Sequence, residues 1–243
     1  MLKLKELNIV ESKEVLLSLP QGKKMINTIN AHSYNTALKD SLFASALKNC
    51  DALIPDGASV VKACKLLKAK SQPIERIAGW DLFVLEMERL NNNGGGVCFF
   101  MGSTNEVLSK IKEKAAKDYP NIEVKTYSPP YKPQFSEEDN NIIISQIIEA
   151  KPNLLWIGMT APKQEKWVYE NWDKLEVDCH VGTIGAVFDF YAGTVKRAPL
   201  WWQQHSLEWL YRLLKEPKRM WRRYLIGNTL FLYNILREKL NCK

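Results

Sequence analysis

Short, nearly continuous apolar runs alternate along this chain with longer stretches whose apolar residues recur at helical spacing. Lys24–Asn30 and Ala52–Pro55 read as the first two strands. Between them Ser33 reads as the cap of an amphipathic run to Asn49, with Ala37, Phe43 and Leu47 on its inner stripe. Asp56-Gly57 ends the second strand, and Ala58–Lys70 is predicted to be helical. Gly79 precedes a helix over Trp80–Leu90, which stops at the Asn/Gly cluster 91–96. Val97–Met101 is the next strand. Gly102 follows it, and Ser103-Thr-Asn-Glu106 has the pattern of a capping box for a helix reaching Lys117. Ile122–Tyr127 predicts a strand, SPPYKP at 128–133 a loop, and Ser136–Ala150 a helix opened by an S-x-x-D pattern. Asn153–Met159 and Asp178–Ile184 complete the strands, with TAPKQE at 160–165 as the helix entry between them.

Strands that are apolar throughout are buried on both faces, as in parallel sheets covered by helices. The alternation therefore predicts an α/β fold, a Rossmann-like, largely parallel sheet flanked by helices. After Arg197 the chain becomes helical in pattern and rich in Trp, Leu and Arg. The expected division is an α/β core over 1–197 and a basic, Trp-rich helical C-terminal appendage over 198–243. Because strand–helix alternation is complete before residue 198, the core is expected to fold without the appendage.

Charge sharpens that division. The net charge is +7, yet residues 191–243 alone hold 11 Lys/Arg against 3 Glu, so the rest of the chain is near neutral. Such asymmetry points to an anionic partner of the tail: nucleic acid, a membrane surface or phosphate groups. In RAPLWWQQHSLEWLYRLLKEPKRMWRR (197–223), Trp202, Leu210, Leu213 and Leu214 mark an apolar face, with Arg212, Lys215, Lys218, Arg219, Arg222 and Arg223 on the polar side. This fits an interfacial helix on an anionic membrane, and equally a helical cap packed on the core with a solvated basic face. A nucleic-acid-binding or non-catalytic module is the rival from another class. No nucleic-acid motif occurs, so no nucleic-acid partner is expected. No run approaches the ~18 apolar residues of a membrane span. The longest, Tyr224–Leu236, is broken by Gly227, Asn228, Thr229 and Asn234, and Met1–Val10 lacks a secretory apolar core. The expected location is the cytoplasm, peripherally on the inner face of the membrane. Self-association is left open. Cys50, Cys64, Cys98, Cys179 and Cys242 form no CxxC pair and read as buried reduced thiols.

Ligands of open α/β sheets lie beyond the carboxyl ends of the strands. Four polar segments fall there: Thr28-Ile-Asn30, Asp56-Gly57, Gly102-Ser103-Thr104 and Thr160–Glu165, the last including Gln164. The last two open helices, whose free N–H groups favour phosphate, and Pro162 suits a first helical turn. Each is also readable as an ordinary capped loop. Asp56 stands either as a general base toward a hydroxyl or as the N-cap of the following helix, and spacing does not separate the two. GxGxxG, P-loop, GxSxG and Asp-x-Asp are all missing, and only His32, His180 and His205 are present. No metal or other cofactor is expected, so positive charge or helix N-termini would stabilise any departing diphosphate.

Several blocks in order, TINAHSY (28–34), PDGASVV (55–61), ERIAGWDL (75–82), GMTAPKQEKW (158–167), VGTIGAVFDFYAGTVKRAP (181–199) and LEWLYRLLKEPKRMWRR (207–223), resemble the WecG/TagA/CpsF glycosyltransferases over nearly the whole chain. The resemblance implies metal-independent, inverting transfer of N-acetylmannosamine or its uronic acid from a UDP-sugar to undecaprenyl-diphosphate-linked N-acetylglucosamine. Related members use other hexoses for exopolysaccharide or capsule. It places the catalytic aspartate on Asp56, a nearby threonine on Thr28 and substrate-binding side chains on Arg76, Gln164, Arg212, Arg219 and Arg222. Alignment inside Arg219–Arg223 admits a shift of one or two positions. Asn30, Gly102, Ser103 and Glu165 complete the expected substrate site from the loop reading.

Overall fold

A computed structural model of the chain describes residues 2–241. The elements in chain order begin with α1 (Lys13–Leu17), β1 (Lys24–Ile29), α2 (Ala31–Ala37), α3 (Ser41–Lys48), β2 (Ala52–Pro55) and α4 (Ala58–Leu67). Next come α5 (Gly79–Asn92), β3 (Gly96–Gly102), α6 (Asn105–Asp118), β4 (Ile122–Tyr127) and α7 (Glu137–Ala150). They continue with β5 (Leu154–Gly158), α8 (Lys163–Glu170), β6 (His180–Thr183) and α9 (Ala186–Ala192). The tail holds α10 (Leu200–Gln204), α11 (Glu208–Lys215), α12 (Pro217–Trp221), a π-helical turn Arg222–Ile226 and α13 (Gly227–Leu240). The sheet is parallel, in the order β2-β1-β6-β5-β3-β4. The α/β reading is thereby met.

The chain divides into two compact units. The first combines Met1–Leu16, Thr28–Ala78 and Lys196–Lys243. Its core is built from Leu4, Ile29, Tyr34, Phe43, Leu53 and Val60 together with Phe231 and Ile235 of α13. Residues 198–241 therefore join this unit through a helix whose inner face is core. Burying such a side chain is worth about 1.5–3 kcal/mol. The second unit combines Leu17–Asn27 and Gly79–Val195. Aromatic rings fill it: Phe83 lies 5.7 Å from Trp156 and 4.7 Å from Tyr191, and Phe100 lies 5.3 Å from Phe188.

Three local expectations are corrected. The run from Ser33 to Asn49 is two helices, because Asn30 caps the first and the Asp40 carboxylate accepts from Phe43 N to start the second. Ser33 is the N3 partner of Asn30 in a capping box. At α6 the cap is Thr104, accepting from Val107 N, while Ser103 takes a left-handed φ of 57°. The box at Ser136, by contrast, forms with Asp139 as expected. Cys64, Cys98 and Cys179 are buried free thiols and Cys50 is half-buried; Cys242 lies outside the described residues.

Candidate functional site

In the first unit the four residues of β2 are all buried, which delivers Asp56 to the strand's carboxyl end. The N-cap of α4 is Gly57, which has no side chain to offer. The capping role is thus taken from Asp56, and its carboxylate turns to Arg76. One guanidinium nitrogen, Nη2, lies 3.4 Å from Asp56 Oδ1 and 2.6 Å from Glu208 Oε2. Glu208 Oε1 in turn accepts from Arg197 Nη2 at 3.2 Å. The arrangement is a chain of alternating charges, Asp56–Arg76–Glu208–Arg197, only partly open to solvent.

Electrostatics set Asp56 apart from Glu208. Its carboxyl is raised above the ordinary aspartate range, by desolvation first, then opposed by Arg76, with Glu208 raising it and Arg212 lowering it. Glu208 lies below its usual range: desolvation is the largest effect, but Arg76 and Arg197 together outweigh it. The two carboxylates that share Arg76 are therefore pushed apart. One keeps a firm ion pair and the other is left the stronger proton acceptor.

Asn30 borders the same turn, since a Cβ added to Gly57 would stand 3.4 Å from Asn30 Cβ. Its Oδ1 accepts from His32 N and Ser33 N at 3.0 and 3.1 Å. Thr28 is half-buried on β1. The tail arginines are not equivalent. Arg212 acts on Asp56, whereas Arg219 is exposed and paired with Glu216 at 2.8 Å, and Arg222 is exposed with its guanidinium 5.3 Å from the Trp221 ring.

The second unit holds the other expected residues. Gly102 has φ 125°, and a Cβ there would collide with the Gly158 carbonyl, so only glycine fits. Ser103 N donates to Gly158 O at 3.1 Å, and Ser128 Oγ donates to Ser103 O at 2.8 Å. Gln164 is buried and engaged at both ends of its amide: its Oε1 accepts from Met159 N and Gly185 N at 3.2 and 3.1 Å, and its Nε2 donates to Glu165 Oε1 at 2.8 Å. Gln164 thus ties two strand-end loops together. Thr183 Oγ1 donates to Asn27 Oδ1 at 2.8 Å, both residues wholly buried.

Glu165 is 2% exposed, and its Oε2 has no hydrogen-bond partner among the described residues. Desolvation raises its carboxyl to about 7, against smaller lowering effects of Gln164 and its own backbone N–H. The folded state then binds a proton that the unfolded chain releases above the ordinary glutamate range near 4.5. Its stabilising share is complete below that range and is lost as pH rises through about 7, on the order of 3 kcal/mol in all. Glu165→Gln cannot ionise, so its stability relative to the parent should improve between pH 4.5 and pH 8 by that amount. Urea unfolding at both pH values checks this; a constant difference would contradict it.

Sequence reasoning passed over Glu208, Arg197 and the Asn27–Thr183 pair. Glu208 left one signal, being one of only three acids among the 11 basic residues of 191–243. An isolated acid in a basic segment implies a specific cationic partner. Among the described residues no group of three or more His, Cys, Asp or Glu is placed to hold a metal ion, and no helix is long and apolar enough to cross a membrane.

Residues 2–243 match the glycosyl transferase WecG/TagA/CpsF family. The chain is 31% identical over 219 residues to an N-acetylglucosaminyldiphosphoundecaprenol N-acetyl-beta-D-mannosaminyltransferase of Bacillus subtilis, covering 90% of this chain and 81% of the relative. It is 32% identical to the Bacillus spizizenii protein of the same name, covering 85% and 77%. A Staphylococcus aureus protein, again so named, is 29% identical, with 90% and 82% covered. An aspartate freed from its cap and set against arginines, in a chain matched from end to end, leads to one assignment: the chain belongs to the WecG/TagA/CpsF family and is a glycosyltransferase.

Proposed function

We propose that this enzyme transfers N-acetylmannosamine from a UDP-linked donor to N-acetylglucosaminyl-diphosphoundecaprenol, inverting the anomeric centre and using no metal. The observation that carries the reading is the placement of Asp56: off the helix cap, beside Arg76, with its carboxyl raised. In the reaction the acceptor hydroxyl oxygen bonds to the sugar's anomeric carbon as the bond from that carbon to the UDP oxygen breaks. The proton passes to Asp56, and the electron pair leaves with the β-phosphate. Arginine neutralises the developing charge, with Arg76 and Arg212 the nearest candidates. The names of the Bacillus subtilis and Staphylococcus aureus relatives support the acceptor and sugar.

The same reading places the enzyme on the membrane that holds its acceptor. Trp201, Leu225, Ile226, Leu232, Leu236 and Leu240 of the tail are exposed, in the segment that carries the excess positive charge. Such a combination supports interfacial binding.

Purified protein given UDP-N-acetylmannosamine and a short-chain lipid-diphosphate N-acetylglucosamine should form the disaccharide, and turnover should survive excess EDTA. Loss with EDTA and recovery with Mg²⁺ or Mn²⁺ would overturn the arginine-based account. Transfer of a different UDP-hexose alone would correct the donor. Leu232→Ser with Leu236→Ser should lower flotation with anionic vesicles while leaving the fold intact, and unchanged flotation would remove the tail from the membrane.

A further inference from the structure

Two carboxylates of the first unit compete for one guanidinium nitrogen, and the competition is uneven. Arg76 Nη2 lies 2.6 Å from Glu208 Oε2 but 3.4 Å from Asp56 Oδ1. A charge-assisted N–H···O bond closes to about 2.7–2.9 Å when nothing opposes it. The Glu208 contact is therefore fully made, and the Asp56 contact is not. Glu208 is secured from its other side as well, where its Oε1 accepts from Arg197 Nη2 at 3.2 Å. With an arginine at each oxygen, its carboxylate is fixed in the position that draws Arg76 away. The side chains of all four residues are between 17% and 27% exposed, so water screens these charges only in part.

The consequence falls on Asp56. Without the Glu208 charge, Asp56 is the carboxylate left to Arg76 among the described residues. A carboxylate in a closed ion pair is a weaker base, because taking a proton leaves the guanidinium charge unanswered. The charges that act on Asp56 are Arg76 and Arg212, which lower it, and Glu208, which raises it. Loss of Glu208 would thus weaken the base twice, by removing an anion and by turning Arg76 toward it.

We propose that Glu208 is a positioning residue for the transfer, holding Arg76 off Asp56 so that the Asp56 carboxylate stays free to take the acceptor's proton. This role rests on the reading of Asp56 as the transferase's base. Glu208 is the first residue of α11, whereas Asp56 ends the turn after β2, so a residue of the tail sets the state of a base carried by the sheet.

The test is the pH profile of kcat for the full chain, with UDP-N-acetylmannosamine and the short-chain lipid-diphosphate acceptor. In Glu208→Gln the rising acid limb should move to lower pH and the plateau should fall at least ~10-fold, with each KM within ~3-fold of the parent's. Glu208→Asp keeps the charge on a shorter stem and should move the limb the same way by less; it carries the test should Glu208→Gln melt below the assay temperature. Arg197→Gln removes a cation from the same cluster without touching Arg76, and should leave the limb in place or raise it. A limb that stays at the parental pH in folded Glu208→Gln overturns the positioning role even if kcat falls, since general damage slows turnover without moving the limb. The Asp56 carboxyl titration, followed by carbon NMR, separates this role from the transferase reading. A midpoint lowered by Glu208→Gln in a protein that transfers no sugar would keep Glu208's hold on Arg76 and sink the transferase. An unmoved midpoint, beside an inactive Asp56→Asn, would do the reverse.

Discussion

Asp56→Asn should lower kcat by at least ~100-fold, the usual scale for loss of a general base, with little change in UDP affinity. The amide keeps the shape and a hydrogen-bond acceptor for Arg76 but cannot take the acceptor's proton. Because Gly57, not Asp56, caps α4, the substitution removes no helix-capping bond, and thermal stability should stay near the parent's. The sign of the pH dependence follows from the same site. A base must be ionised, so kcat rises with pH through the Asp56 pKa and then levels. That limb should lie above the ordinary aspartate range, since desolvation raises the group. Arg76 and Arg212 oppose the rise, so removing either charge should move the limb higher still. A purified, folded Asp56→Asn protein with near-parental turnover would end the assignment. Glu165, buried and committed to Gln164, would be a poor substitute, which leaves Glu208 as the next carboxylate to test.

How far the sequence foretold this site depended on the reach of each interaction. The strands and their carboxyl-end loops were legible because continuous apolar runs and helix-opening polar residues are local signals. Ser136 with Asp139 is the plainest case, four residues that specify their own geometry. Local signals failed where two of them competed. At 28–34 both Asn30 and Ser33 are good caps, and only the folded backbone shows Asn30 accepting while Ser33 answers it. The two roles open to Asp56 were of the same kind, and a one-residue difference in where α4 begins takes the cap from it. Partners distant along the chain left almost no trace. The Arg76–Glu208 bond joins residues 132 positions apart in numbering, and the Gln164 clasp depends on backbone groups of two loops. The resemblance named Arg76 and Gln164 as residues that matter, while their geometry assigns one to charge and the other to loop position.

Deleting residues from Gly227 onward should unfold the first unit rather than trim an appendage from it. The sequence suggested otherwise, because strand–helix alternation ends before residue 198. Yet α13 contributes Phe231 and Ile235, 2% and 1% exposed, and Phe231 meets Tyr34 edge to face at 5.5 Å. Glu238 accepts from Leu4 N, Lys5 N and Tyr34 Oη at 3.0, 2.9 and 2.7 Å, so its loss orphans three donors together. Asn35 Nδ2 donates to Gly227 O at 2.7 Å, and Asn234 Nδ2 donates to Asn35 Oδ1 at 3.1 Å. Removing one large core side chain costs about 3–5 kcal/mol, and each buried donor left unpaired costs about 1–3 kcal/mol. Together these reach the roughly 5–15 kcal/mol that holds a domain folded. The truncated chain should therefore lose hydrogen-exchange protection in α2 and α4. Phe231→Ala tests the same contacts in a full-length chain and should lower the urea midpoint sharply without touching Asp56 or Arg76. If the truncated protein keeps parental protection in α2 and α4 and unfolds cooperatively, α13 is an appendage after all. If it keeps them and loses transfer, the tail acts on the reaction alone. The expected result is that fold and transfer fail together, because Asp56 and Arg76 belong to the unit whose core α13 completes.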